Sequence, residues 1–557
     1  MKHMNYSSIT AMLRRIHRAS SISDDTGIPV KELMERDREL RKKLQQEREL
    51  ASQRRDFLRA AGGLGLGAGM MAVTPGALAA AGGGGSQPSI AIVGGGSGGL
   101  RTAHRLMQYG ISSTVYEAND RVGGRMYSDR TFFNDNRVVE YGGEFISTEH
   151  TAIRNLAHQL GLKLEDANKL SVGEEETYLI NDQLYSESDL MDEWAGGLYE
   201  TMKRAQQEAP WQPFYNAYNA KHYEYDWKDA IDWMELDLGY SRSHWVHKLL
   251  LTDLVAEYGI TEGNSALNLI YLLAWNTHNS GGLPLAGTDE RLHVVGGNDL
   301  IPLTMAAQLP AGSVIPDKKL TQIHGAYGGP YTLHFADASI VNCDVLVLSL
   351  PMNLIKELDY IAPDIWNGFS PQKQDAFLSD SNVSDNGKIM LEFTDRHWDM
   401  TQVISGVPVH QAARAYSDPD KFISTWEGEP GNPSPLGVMV DYNGGYEARH
   451  LQSKNLHGQA HKKDAERFLL QAENIWPGIS AKYTGKALVS NWLDDPLARS
   501  AFTSPSVGTM TSWWGAQWET EGNIFFAGEA YDEEYWSYMN GAILSAERVA
   551  REIQQKF

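Results

Sequence analysis

Apolar positions change rhythm along this chain, and each rhythm announces an element. The run IAIV, Ile90–Val93, is continuously apolar, as in a strand covered on both faces. After a cluster of glycines, Leu100, Ala103 and Leu106 recur at helical spacing, and residues 113–116 return to a strand pattern that ends in Glu117. Helical stripes dominate from about residue 151 to 280, in HTAIRNLAHQLGL and SHWVHKLLLTDLVAEYG, where they read as core. Strand signals resume after Gly296 in YTLHFADASIV and in the buried run CDVLVLSLP. The chain closes on NIFFAGEAYD, a buried strand and glycine turn, followed by a long amphipathic helix. No internal repeat interrupts this order.

The glycines between the first strand and helix carry the first chemical signal. Glycine lets backbone approach a ligand closely, and a helix N-terminus offers unpaired N–H groups to an anion. Gly94, Gly96 and Gly99 stand at the G-x-G-x-x-G spacing, between strand and helix as a dinucleotide site requires. Glu117 lies near the ~20-residue distance at which a carboxylate accepts hydrogen bonds from an adenosine ribose. An acid there disfavours a 2′-phosphate, so NADP is set aside. Two more glycine-marked turns follow, NDRVGGRMYSDR and VVEYGGEFIST, where backbone again comes close to something.

Composition narrows the partners. The 557 residues are 42% hydrophobic and 22% charged, which suits a folded protein of two or three intertwined domains. A formal net charge of −22 argues against nucleic acid and anionic membrane surfaces, leaving small molecules. The single Cys343 rules out an intramolecular disulfide and a cysteine-rich zinc site, and no metal site is expected. Upstream, Arg54 and Arg55 lead a glycine- and alanine-rich run that ends in A-x-A at Ala79, resembling a twin-arginine export signal. That run is too interrupted for a stable membrane span, so a periplasmic or extracellular location is expected. The charged stretch at residues 34–50 reads as a solvated helix with i,i+4 pairs.

Four separated motifs coincide: GGGSGG with Glu117, RVGGR at residues 121–125, ERLHVVGGND at residues 290–299, and FFAGEAYD with YMNGA near the C-terminus. Together they resemble the flavin-containing amine oxidases, the superfamily of monoamine, polyamine and L-amino-acid oxidases, over residues 89–557. The resemblance implies FAD. By it, Gly94, Gly96, Gly99 and Glu117 hold the adenosine diphosphate, and Gly124 and Arg125 meet the phosphates or ribityl chain. Gly142, Gly143 and Glu144 pass beside the flavin, Leu320 packs the adenine, Glu529 accepts a hydrogen bond from the cofactor, and the Met539 backbone lies near the isoalloxazine ring. The stretch AFTSPSVG, where some relatives attach flavin covalently, holds neither cysteine nor histidine, which implies noncovalent FAD.

Such enzymes move hydride from the carbon bearing a neutral amine to the flavin, leave an imine that water hydrolyses, and pass the electrons to dioxygen as hydrogen peroxide. Lys388, in NGKIMLEFTDRHW, matches a lysine that reaches a water beside flavin N5; its plainer reading is a lysine snorkelling from a strand edge. Trp492, Phe502, Trp536 and Tyr538 fall in stretches that supply flavin-facing rings in relatives, and Phe145 is a similar candidate. Each is otherwise an ordinary core aromatic.

On substrate the residues divide. Tyr442 resembles the carboxylate-binding tyrosine of L-amino-acid oxidases, whereas Phe145 stands where their arginine often does. The layout with its leader is most like exported bacterial L-amino-acid oxidases. The expectation is therefore FAD-dependent oxidative deamination of L-amino acids to 2-oxo acids, releasing ammonia and hydrogen peroxide, with a carboxylate-binding cation from elsewhere in the chain. A monoamine or polyamine oxidase is the alternative, and a non-catalytic flavin-binding protein a third reading. The partners are an amino acid or amine and dioxygen, and a homo-oligomer is left open. The expected fold is α/β: a Rossmann-like FAD-binding domain in three pieces, residues 89–150, 286–350 and 491–557, interleaved with an α+β substrate domain. The latter comprises a helical region at 151–285 and a substrate-binding region at 351–490, after an extension (1–53), the export-like segment (54–81) and a linker (82–88).

Overall fold

The computed structural model describes residues 87–557 apart from 172–174, 211, 261, 280–288, 380–382, 452 and 454–455. The N-terminal extension, the export-like segment and most of the linker lie outside the described residues.

Strand β1 (Ile90–Val93) runs through the glycine turn into helix α1 (Ser97–Gln108) and strand β2 (Thr114–Tyr116). These strands join a five-stranded parallel sheet in the order Ile524–Phe526, β3 (Val345–Leu348), β1, β2, Val314–Ile315. Strands far apart in sequence are neighbours here, so the sheet closes only when the separated pieces come together. Side-chain alternation explains why these strands are apolar throughout. Ile90, Ile92, Val345 and Val347 pack beneath α1 and the C-terminal helix Met539–Lys556, against Leu100, Leu106, Ile543 and Val549. Ala91, Leu346 and Leu348 point the other way, toward Leu333 and Phe335 of a smaller sheet. In that smaller sheet YTLHFADASIV forms two strands, Tyr331–Phe335 and Ile340–Cys343, and Cys343 is buried core.

A second, nine-stranded sheet makes the substrate half. Its spine, β4 (Asn386–Phe393), pairs antiparallel with Tyr483–Asn491 on one side and with another strand, Gly437–Gly444, on the other. That strand is β6, and it pairs in turn with β5 (Ser424–Gly428). Ile389, Leu391 and Phe393 pack against the helix Lys462–Ala472 through Phe468 and Leu469. Lys388, Met390 and Glu392 therefore face the opposite way, where Met390 meets Val139 and Tyr141 of the nucleotide half. The region read as helix-rich, 151–285, is mostly helical, but its segments Glu175–Ile180 and Gln183–Ser186 form a hairpin in this sheet. The cause is local. Asn181 and Asp182 both take positive φ, 55° and 59°, as a tight two-residue hairpin turn demands.

Helix α2 (Trp245–Tyr258) is apolar on nearly every side and buried. Gly259 stops it in the left-handed conformation at φ +67°, where a Cβ would collide with Asn386 Oδ1. The Gly259 carbonyl accepts from the backbone N–H of Asp385 (3.2 Å) and of Gly445 (3.0 Å), which pins the helix end to the start of β4 and the end of β6. Two acids one turn apart, Asp253 and Glu257, are thereby fixed at the centre of the substrate half. No helix among the described residues is long and apolar enough to cross a membrane.

Candidate active site

The glycine motifs converge on one track. Glu117, at the end of β2, accepts hydrogen bonds from the backbone N–H of Gly95 (2.5 Å) and of Asn119 (2.7 Å). Gly94 is forced by φ +106° and by the Ser349 carbonyl against it, and a Cβ on Gly99 would collide with the Gly94 carbonyl. Gly96 differs: a Cβ there would meet nothing within 4 Å, so open space lies over the N-terminus of α1, which has no side-chain cap. Gly123 and Gly124 border that space, with the Gly123 N–H donating to the Gly95 carbonyl at 2.9 Å. Arg125 continues the line, donating to Glu529 Oε1 and to the Ala501 carbonyl, both at 2.9 Å. Glu529 is further fixed by the Thr503 hydroxyl at 3.0 Å and the Ser537 N–H at 3.2 Å.

At the far end, the Gly142–Gly143 turn packs so closely that a Cβ on Gly142 would collide with the Arg125 carbonyl, and one on Gly143 would fall 2.7 Å from Met539 Sδ. The Trp492 indole donates to the Tyr141 carbonyl at 2.9 Å and lies against Gly142. Lys388 stands beside this turn, buried to 5% exposure, donating to the carbonyls of Gly142 (2.8 Å) and Glu140 (3.2 Å) and to Glu144 Oε2 (2.7 Å). Leu320 is buried, its side chain in the core cluster with Tyr116, the residue before Glu117, and Phe335. Phe502 is half-buried, its backbone tied to Ser384.

Beyond Lys388 rings and acids gather, and the space among them is the candidate substrate hollow. Phe145 meets Trp426 edge-on (5.4 Å between centroids), Trp426 meets Tyr442 (5.5 Å), and Trp536 stacks on Tyr258 (6.0 Å). Trp426 and Tyr258 are absent from the sequence-derived set, as are the acids Glu176, Asp253, Glu257 and Glu290. Glu257 has no hydrogen-bond partner among the described residues, and it remains partly exposed although deep in the protein. Burial, then the charge of Glu290, pushes its carboxyl up to about 8. Burial likewise pushes Glu176 up to about 7, against the pull of Arg414, and holds Asp253 well above the carboxylate range. Tyr442 and Tyr538 are raised by burial and then by the charges of Glu257 and Glu290, so rings and acids share one space.

Among the described residues one arginine stands with these acids, and it is already paired. Arg414 donates to Glu290 Oε2 at 3.2 Å and lies 3.8 Å from Glu176 Oε1. Burial works against its charge, but Glu290, Tyr416 and Glu176 outweigh it. Among the described residues of the hollow, acids outnumber cations: Glu144, Glu176, Asp253, Glu257 and Glu290 stand against Lys388 and Arg414.

A glycine-lined helix N-terminus leading by close backbone contacts to a cluster of rings and acids fits a site for a dinucleotide cofactor beside a small molecule. The chain belongs to the flavin containing amine oxidoreductase family, whose model matches residues 97–554. Polyamine oxidase 4 of Oryza sativa subsp. japonica is 22% identical over 487 residues, covering 85% of this chain and 89% of that protein. Flavin-containing amine oxidase A of Sus scrofa is 22% identical over 484 residues, covering 83% and 84%. Of solved structures, cyclohexylamine oxidase from Brevibacterium oxydans IH-35A superposes with TM-score 0.69 at 16% identity over 84% of this chain and 99% of that one. A wild-type putrescine oxidase bound to putrescine gives TM-score 0.65 at 18% identity, covering 84% and 99%. These likenesses establish the amine oxidase fold and a flavin-dependent amine oxidoreductase with FAD as its cofactor. The residues fit that group: the open space over Gly96 suits a pyrophosphate at a helix N-terminus, and Glu117 stands where a ribose follows.

Proposed function

We propose that this protein oxidises amines that lack an α-carboxylate, in preference to the L-amino acids that Tyr442 suggests from sequence. The carrying observation is the Arg414 pairing. A buried carboxylate needs a positive partner, since desolvating it unpaired costs several kcal/mol, and the arginine of the hollow already serves Glu290 and Glu176. A carboxylate substrate would also meet Glu144, Glu257 and Glu290. An ammonium ion meets the reverse: acids that attract it and aromatic faces that hold it. The names of the relatives, polyamine and monoamine oxidases, agree with this reading.

When bound, FAD supplies the hydride acceptor and the route of the electrons to dioxygen. The chain supplies position and a proton sink. Phe145, Trp426, Tyr442 and Tyr538 exclude water and confine the amine beside the Gly142–Gly143 turn. Before hydride can leave, the ammonium sheds a proton, and the Glu257 carboxylate, unpartnered and pushed up to about 8, is a matched acceptor. The stretch AFTSPSVG holds neither cysteine nor histidine, in keeping with a noncovalently held cofactor. A direct test uses non-reacting ligands on the oxidised enzyme: a quaternary ammonium should perturb the flavin spectrum at millimolar concentration while benzoate should not. Tighter binding of benzoate would overturn the reading.

Export through the Arg54–Arg55 signal is proposed as well. Replacing both by lysine should retain the enzyme in the cytoplasm, and unimpaired export of that variant would refute it.

A further inference from the structure

The donors of Lys388 are fully occupied. A lysine ammonium carries three N–H groups, and three acceptors surround this one: the carbonyls of Gly142 and Glu140 and the Oε2 of Glu144. None is left for a water beside the flavin. Two of the acceptors are backbone and cannot readily withdraw, because the turn that bears them is clamped. The Gly143 N–H donates to the Arg125 carbonyl at 3.2 Å, and Asn298 Nδ2 donates to the carbonyls of Gly143 (3.0 Å) and Glu144 (2.6 Å). The third acceptor is a side chain. Glu144 reaches Lys388 with one oxygen, while its Oε1 accepts from Trp426 Nε1 at 2.8 Å, and its charge is felt at Tyr442 in the hollow. Of the three, Glu144 alone can let go without moving the main chain, and it faces the space an amine enters.

We propose that Glu144 is a positioning residue that gates Lys388: it holds and neutralises the ammonium while the hollow lacks a cation, and turns to a substrate ammonium when one enters. This rests on the amine reading above. Released from Glu144, Lys388 regains one N–H donor and an unneutralised positive charge for the oxygen half-reaction. There dioxygen takes two electrons from the reduced cofactor and two protons, and leaves as hydrogen peroxide. Negative charge develops on oxygen with the first electron, so a fixed cation nearby lowers that barrier; Lys388 itself is unchanged by the cycle. The enzyme thus reoxidises fastest with an amine-derived cation in place.

The test isolates this half of the reaction. Holoenzyme is reduced photochemically, without substrate, and mixed with oxygenated buffer in the presence or absence of butyltrimethylammonium, whose nitrogen has no lone pair and cannot be oxidised to an imine. Wild type should reoxidise about tenfold faster with the cation, below the roughly 10²–10³ that one aimed donor is worth because Glu144 screens Lys388 only in part. Glu144→Gln should reoxidise at the fast rate with or without it, and Glu144→Asp should restore the response. A second readout needs no turnover: the flavin reduction potential, measured by dye equilibration, should be higher in Glu144→Gln than in wild type. Reoxidation of the variant at or below the unassisted wild-type rate would overturn the proposal. An unresponsive wild type would do the same, even if the variant failed to fold. Because photoreduction uses no substrate, an error in the amine reading would show separately, as preference for an amino acid in turnover.

Discussion

Lys388 and Tyr442 are directly opposite one another in the antiparallel pairing of β4 and β6. Opposed residues share a face of the sheet, so the tyrosine that marks amino-acid oxidases by resemblance and the lysine beside the flavin turn enter the same hollow. Trp426 contacts Tyr442, the Glu144 carboxylate bridges Trp426 and Lys388, and among the described residues there both cations, Lys388 and Arg414, are already paired. Tyr442 is a wall here. Tyr442→Phe should therefore change amine kcat/KM by no more than about threefold, less than the 1.5–3 kcal/mol of a lost hydrogen bond to a charged group. Steady-state kinetics decide it, and a tenfold rise in KM would return the hydroxyl to a substrate-binding role.

Cofactor retention should depend on open space over Gly96. That residue adopts φ −70° with nothing within 4 Å of a Cβ, so Gly96→Val fits the protein but fills the room a pyrophosphate needs. The variant should unfold within a few degrees of wild-type apoprotein yet retain far less FAD by absorbance. Glu117→Ala should weaken FAD binding by about 1–3 kcal/mol, measured by reconstitution of apoprotein. Undiminished FAD binding in both variants would move the cofactor off this track.

Stability should fall as pH rises. Burial raises Glu257 and Glu140 to about 8 from 4.5, and Glu176 to about 7. The folded state therefore keeps protons that the unfolded chain gives up near pH 4.5. Each such group contributes stability that is present below its unfolded value and is lost as pH climbs to its folded one, with a slope of up to about 1.4 kcal/mol per pH unit. Tm should decline from pH 5 to 8, less steeply in Glu257→Gln. Binding runs the other way. Affinity for butyltrimethylammonium, which does not titrate, should rise with pH and level off above about 8 as Glu257 ionises beside Glu290, Glu176, Asp253 and Arg414. A flat profile in wild type would remove Glu257 from the cation site.

The cofactor track was legible because its signals are local: glycines at fixed spacing, a strand before them, a helix after, and an acid at the next strand end. The acidic hollow was not. Helix α2 reads as core because apolar residues surround it, and Asp253 and Glu257 disappear into that pattern, although two acids one turn apart in LLLTDLVAEY are costly to bury and were the available clue. Glu144 and Lys388 are 244 residues apart, and only the docking of the Gly142–Gly143 turn against β4 joins them. The Arg414 pairing was equally hidden, since Glu176 lies in a hairpin inside a region read as helix-rich. The proposed substrate class rests on those three facts, which is why the reading from sequence was the amino acid and the proposal from the folded site is the amine.

The most direct measurement is hydrogen peroxide release from purified, FAD-loaded enzyme over matched pairs: putrescine with L-ornithine, cadaverine with L-lysine, phenylethylamine with L-phenylalanine. Each pair differs by one carboxylate. The account predicts that the amine is turned over with at least about a hundredfold higher kcat/KM in the preferred pair, roughly the 2.7 kcal/mol cost of burying a carboxylate with no cation free to pair it. A higher kcat/KM for the amino acid in any pair that is turned over well would contradict it.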